Sequence, residues 1–238
     1  MTRRQRNVRA WFRTPRAAGV AGLLFAVLLG TAVVLVGLSV PADASDAERW
    51  LSDSTSRDSV RLALDLVPFA GIAFLWFVGV IRDRIGRRED RLFATVFLGS
   101  GLLFVSMLFV AAAVAGGLVA DPQFQTGGGS GALWEFERRI TFTLLNVYAI
   151  RMGGVFVLST TTIGKRTGIL PGWLVAVGLV AGLVLLVGSG TSIWVNLVMP
   201  VWALTLSVYI LFHSAEVERL DGPGEHETAP STEQVAAH

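Results

Sequence analysis

The feature that most constrains this chain is its succession of apolar runs long enough to cross a lipid bilayer. A spanning helix needs about 20 apolar residues, because the hydrocarbon is about 30 Å thick and each residue rises about 1.5 Å. Six stretches reach that length: Ala17–Val40, Arg61–Ile81, Phe93–Leu118, Ile140–Ile163, Ile169–Gly188 and Ile193–His213. They are apolar all round rather than striped, a pattern that lipid tolerates and water does not. Only 16% of the residues are charged and 53% are apolar, against about 25% charged in an ordinary soluble domain. A soluble globule and a disordered chain are excluded. The pattern predicts an all-α fold, a polytopic transmembrane bundle of six helices over residues 17–213. A basic arm (1–16) precedes it, and an acidic tail (214–238), expected to be disordered, follows.

The first run has an arginine-rich start and a small-residue Ala42-Asp43-Ala44 site after it, as a signal peptide would. Its apolar core of 24 residues exceeds the roughly 7–15 of a signal h-region, so an uncleaved helix is expected. Orientation follows from the distribution of cations. Arg3, Arg4, Arg6, Arg9, Arg13, Arg16, the arginines of the loop after the second run, Lys165, Arg166 and Arg219 place fourteen cations on one side. Arg49, Arg57, Arg61, Arg138 and Arg139 place five on the other. Both termini are therefore expected in the cytoplasm, and the membrane is expected to be the bacterial inner membrane.

The connections differ in kind. Ser45-Asp46-Ala47-Glu48 has the form of a capping box, and Thr55-Ser56-Arg57-Asp58 can start the second helix. The run Gly127-Gly128-Gly129-Ser130-Gly131 reads as a hinge, returning through an interfacial anchor at Trp134-Glu135-Phe136-Glu137. The link Ser189 to Ser192 is so short that the last two helices must be antiparallel neighbours.

Arg151 is the most informative residue, because it falls about halfway along the fourth run. An arginine at a bilayer centre costs about 2.5–3.5 kcal/mol on insertion scales, which points to a partner or water beside it. Tyr148 shares its face, Asn146 lies a turn away, and Asp65 in the second run is the nearest intramembrane carboxylate, about 10 Å further toward the outer face on straight helices. These four are the candidate substrate-path residues. The alternative is a buried Arg151 ion pair that locks the bundle.

Other chemistry is sparse. With no cysteine, thiolate metal sites, disulfides and iron–sulfur clusters are excluded. The three histidines, His213, His226 and His238, lie outside the expected membrane core, so neither a metal site nor a cofactor is expected. No hydrolase, zincin or phosphate-loop motif is present, no catalytic residue is assigned, and the expectation is a non-enzyme. The arm of six arginines with Trp11 and Phe12 is expected to dock on anionic lipid headgroups at roughly 1 kcal/mol per cation. Topology accounts for those cations without nucleic acid. Gly178 and Gly182, and Ala112 and Gly116, are spaced for close helix contact, which serves either intrachain packing or a homodimer.

The loop after the second run reads Gly79-Val80-Ile81-Arg82-Asp83-Arg84-Ile85-Gly86-Arg87-Arg88. It resembles the G-x-x-x-D-R-x-G-R-R loop of the major facilitator superfamily, and Arg151-Met152-Gly153-Gly154 is loosely similar to that family's arginine in its fourth helix. The resemblance covers some twenty residues, and it implies that Asp83, Arg84 and Arg88, with Gly79, Gly86 and Arg87 completing the motif, clamp neighbouring helix ends during alternating access. Such transporters have about twelve helices in two halves, twice the number expected here. The Phe74–Leu108 stretch as a whole resembles uncharacterised bacterial multi-pass membrane proteins. Two functions follow as expectations: a small transporter or permease-like unit, or a non-transporting membrane scaffold or assembly subunit.

Overall fold

The structure, a computed structural model, describes residues 15–39, 54–85, 91–120, 131–188, 190 and 192–220. Among the described residues the regular structure is entirely helical. The elements are α1 (Pro15–Ser39), α2 (Ser54–Ile85), α3 (Arg91–Ala120), α4 (Gly131–Thr143), a π-helical segment (Leu144–Ala149), α5 (Ile150–Arg166), α6 (Gly172–Val187), a 3-10 turn (Ile193–Leu197) and α7 (Val198–Leu220). Thr143 and Ile150 keep right-handed helical backbone on either side of the π segment, so α4 and α5 form one rod.

Five helices, counting that rod as one, are long and apolar enough to cross a membrane. The sixth apolar element, α6, has 16 residues, or about 24 Å. It is shorter than the Ile169–Gly188 run because Pro171 stands in extended backbone at its N-cap and Gly168 takes a left-handed φ of 70°. Large apolar side chains face outward on α1, α2, α3, α6 and α7: Val27, Phe69, Leu102, Val180 and Val201 are exposed, and Leu38, Val187 and Phe212 are about three-quarters exposed. Water would penalise such a surface and lipid does not. These are the helices of a multi-pass membrane protein.

Several boundaries depart from the sequence reading. Helix α2 begins about two turns before Arg61 and runs unbroken through Pro68. The Trp134–Glu137 anchor lies inside α4, and α7 continues to Leu220, so Ser214–Leu220 belong to a helix rather than to the tail. The last apolar run begins as a 3-10 turn. Pro200 cannot donate to the carbonyl of Asn196, and its ring would crowd that carbonyl in an α-helix, so regular α-helix starts only at Val198. The arm 1–14, the loops over 40–53 and 121–130, and the tail from 221 lie outside the described residues.

Glycines fix which helices touch. A Cβ at Gly19 would strike Leu211, one at Gly22 would strike Phe77 and the Ser207 hydroxyl, and Gly37 faces Trp194. The start of α1 therefore lies beside the end of α7, and the two run antiparallel. Helix α6 packs back on α5 in the same way: a Cβ at Gly154 would lie 3.0 Å from the Gly182 carbonyl oxygen, Gly178 faces Thr161, and Gly182 faces Leu158. The Gly178/Gly182 pair thus serves contact within the chain, whereas Gly116 has open space around it. The buried Thr161 and Ser207 hydroxyls have no hydrogen-bond partner among the described residues. Each presses instead on a neighbouring helix glycine, the approach that weak Cα–H···O contacts favour.

The end carrying Pro15, Arg166 and Leu220 is called here the near end. Arg166 lies 4.2 Å above the Phe93 ring, Trp173 meets Tyr209 edge-on, and Tyr209 stacks on His213, an aromatic belt suited to a membrane interface. Mid-bundle, rings from five helical rods meet. Phe74 lies 4.7 Å from Phe25, 5.2 Å from Phe104 and 4.9 Å from Phe156. Phe156 also reaches Phe97 at 5.0 Å and Trp202 at 6.1 Å.

Candidate functional site

Beyond this aromatic layer, in the far half, the bundle is hollow. A chamber of about 230 Å³ lies between α1, α2, α3, the α4–α5 rod and the start of α7. Its cause is legible in side-chain size. The phenyl rings hold the helices apart at the middle, while Ala32, Ala63, Ala111, Ala112, Ala115 and Ala149 leave the space above them unfilled. Phe104 and Met199 form the floor. Along α3 the lining runs from Phe104 to Val119, about 22 Å at 1.5 Å per residue.

Among the described residues, four polar side chains line it: Arg138, Thr141, Asn146 and Asn196. Arg138 and Thr141 stand toward the far end on α4, and the Thr141 hydroxyl is buried with no hydrogen-bond partner among the described residues. Asn146 and Asn196 form the deeper polar group. The Asn196 amide donates to the Asn146 carbonyl oxygen at 2.9 Å, and the Asn146 amide donates to the Phe142 carbonyl at 3.2 Å. The π segment carries Asn146. It adds a residue to the turn, as the Ile150 N–H reaching back to the Leu145 carbonyl shows, and such bulges recur at functional sites. Here it faces Asn146 and Ala149 inward.

Replacing Asn146 with Leu strands the Asn196 amide. Interhelical hydrogen bonds of this kind are worth about 0.6–1.7 kcal/mol in membranes, and a loss of that size is expected in the unfolding free energy of the detergent-solubilised protein. A double replacement, Asn146→Leu with Asn196→Leu, is expected to recover part of it, because no amide is then left unpaired.

The sequence candidates separate. Asn146 lines the chamber. Arg151, Tyr148 and Asp65 do not; all three are exposed on the outside of the bundle. The expected Arg151–Asp65 lock is absent, for among the described residues neither forms an ion pair or hydrogen bond. The reason is helix phase. Gly153 and Gly154 turn inward and toward α6, buried against Phe104 and Gly182, and this rotates Arg151 out. Nor do the hydroxyls of α5 line a path: Ser159 and Thr160 donate to the Val155 and Phe156 carbonyls, each at 2.8 Å, in their own helix. In the loop motif, Gly79 is exposed with open space about it, Asp83 and Arg84 lie on the last turn of α2, and Gly86, Arg87 and Arg88 lie outside the described residues.

Sequence reasoning did not group Arg138, Thr141 and Asn196, and it read Ala112 as a helix contact rather than as the lining of a hollow. The signal for the hollow was the Ala111-Ala112-Ala113-Val114-Ala115 run, small side chains opposite small side chains. Among the described residues no cluster of acidic or histidine side chains could hold a metal. Compared with known protein families, curated proteins and solved structures, the chain matches none.

Proposed function

We propose that this chain is a permease-like unit of a bacterial inner membrane, with both ends in the cytoplasm, that receives an amphiphilic small molecule in the far-half chamber. The chamber itself is the observation that carries this reading. An apolar cavity of about 150 Å³ already accepts benzene, and this one is larger, at about 230 Å³, and elongated. The chamber is half open to its surroundings, so an occupant can enter it. Alanines and valines suit its apolar chain, while Arg138 and Thr141 at one end suit a polar or anionic headgroup. The fourteen-to-five bias of cations supports the orientation, and the far end then faces away from the cytoplasm. No chemistry on the ligand is proposed.

Spin-labelled stearate tests the reading. Protein reconstituted in phosphatidylcholine vesicles is expected to immobilise the label saturably. Ala115→Phe, which fills the chamber, is expected to lower that binding about tenfold or more, since a ring-sized loss of space removes at least 1.4 kcal/mol of contact. Val27→Phe, on the exposed surface of α1, is expected to leave it unchanged. Equal binding by wild type and Ala115→Phe contradicts the proposal.

A further inference from the structure

Two opposite charges stand on the outer surface of the membrane-spanning helices, and neither lines the chamber. Arg151 is exposed on α5 with Tyr148 beside it, itself 55% exposed, and Asp65 is exposed on α2. Among the described residues neither charge has an ion pair or hydrogen bond. Arg151 cannot reach water along its own helix. It is twelve residues from Arg139 and fourteen from Lys165, about 18 Å and 21 Å, far beyond the reach of a snorkelling side chain. Left in lipid, such a charge is costly.

The two charges lie at neighbouring depths. The Phe74 and Phe156 rings, 4.9 Å apart, mark one level of the bundle. From there Asp65 lies nine residues and Arg151 five residues toward the far end, about 14 Å and about 8 Å. The difference of about 6 Å is a step that the long arginine stem spans. Helix α3 packs between α2 and α5, so within one chain the two charges stay apart, while two chains side by side can bring them together. We infer that this protein self-associates in the membrane, with Arg151 of one copy paired to Asp65 of a second copy and Tyr148 packed at the same seam. The charge complementarity selects a second copy as occupant: one chain carries both members of the pair exposed on its helices, so association leaves neither charge in lipid.

The full chain, labelled with donor and acceptor fluorophores in two pools and reconstituted in phosphatidylcholine vesicles, tests this by energy transfer. Wild type is expected to associate. Arg151→Asp alone and Asp65→Arg alone are each expected to weaken association about thirtyfold or more, as loss of a desolvated charge pair does. An equal mixture of the two single variants is expected to recover it, since residue 151 of each then faces an opposite charge at residue 65 of the other. That recovery also shows that both variants fold. Wild-type protein that fails to associate, single variants that associate like wild type, or a mixture that does not recover would each overturn the inference. The stearate assay on the same vesicles reads the chamber independently.

Discussion

Phe74→Ala is expected to be the most damaging single substitution in the chain. The side chain is completely buried and touches the rings of Phe25, Phe104 and Phe156, with Phe77 at 6.4 Å, so it joins α1, α2, α3 and α5 at one point. Phe→Ala in a packed interior costs about 3–5 kcal/mol, through lost contact and the cavity left behind. The partners here are aromatic and tilted toward one another, which adds about 0.5–1.5 kcal/mol per pair beyond area burial. The substitution also removes part of the layer beneath the chamber. The expected result is a strongly lowered thermal midpoint of the solubilised protein, together with a deeper hollow that binds spin-labelled stearate more weakly per unit of contact. An unchanged midpoint would mean that the aromatic layer does not carry the bundle.

Gly182→Leu is the second. A Cβ there would already lie 2.6 Å from the Leu158 Cδ2 and 3.2 Å from the Gly154 carbonyl. One of these neighbours is backbone and cannot rotate away, so the two helices must part. Overpacking typically costs about 1–3 kcal/mol, and here the loss falls on one seam. Helix α6 has its closest packing on α5 and takes no part in the aromatic layer. Its detachment is expected to free the already largely exposed Thr167–Pro171 connection from its hydrogen bonds to the Ile163 and Gly164 carbonyls. Limited proteolysis in detergent is expected to cut the variant there many times faster than wild type, with the rest of the bundle intact. Cutting at the wild-type rate would place the grip on α6 elsewhere.

Much of the helical plan was legible because lipid imposes it: a run such as Phe93–Leu118 has no alternative to a spanning helix, and α3 covers it with two residues added at each end. The direction of Arg151 was not legible for the same reason. A helix apolar on all sides carries no stripe to announce its inner face, and the phase is set by where neighbouring helices approach Gly153 and Gly154. The pairing of Tyr148 with Arg151 on one face was readable from spacing; that this face looks outward was not. The Asn146–Asn196 bond joins residues fifty apart in sequence, and it depends on a π segment and a 3-10 turn that hydropathy does not register. The chamber is an absence of side-chain volume, and it becomes visible only when the alanines of four rods are brought to one level.

Because the chain has no cysteine, single cysteines report without background, and they test the chamber most directly. Ala63 and Ala149 line it, whereas Ala70 and Ala203 are buried to the same degree but packed outside it. Cysteine at residues 63 and 149 is expected to react with N-ethylmaleimide in the folded, reconstituted protein, and cysteine at 70 and 203 only after denaturation. If all four stay silent, or all four react alike, the far half of the bundle holds no chamber.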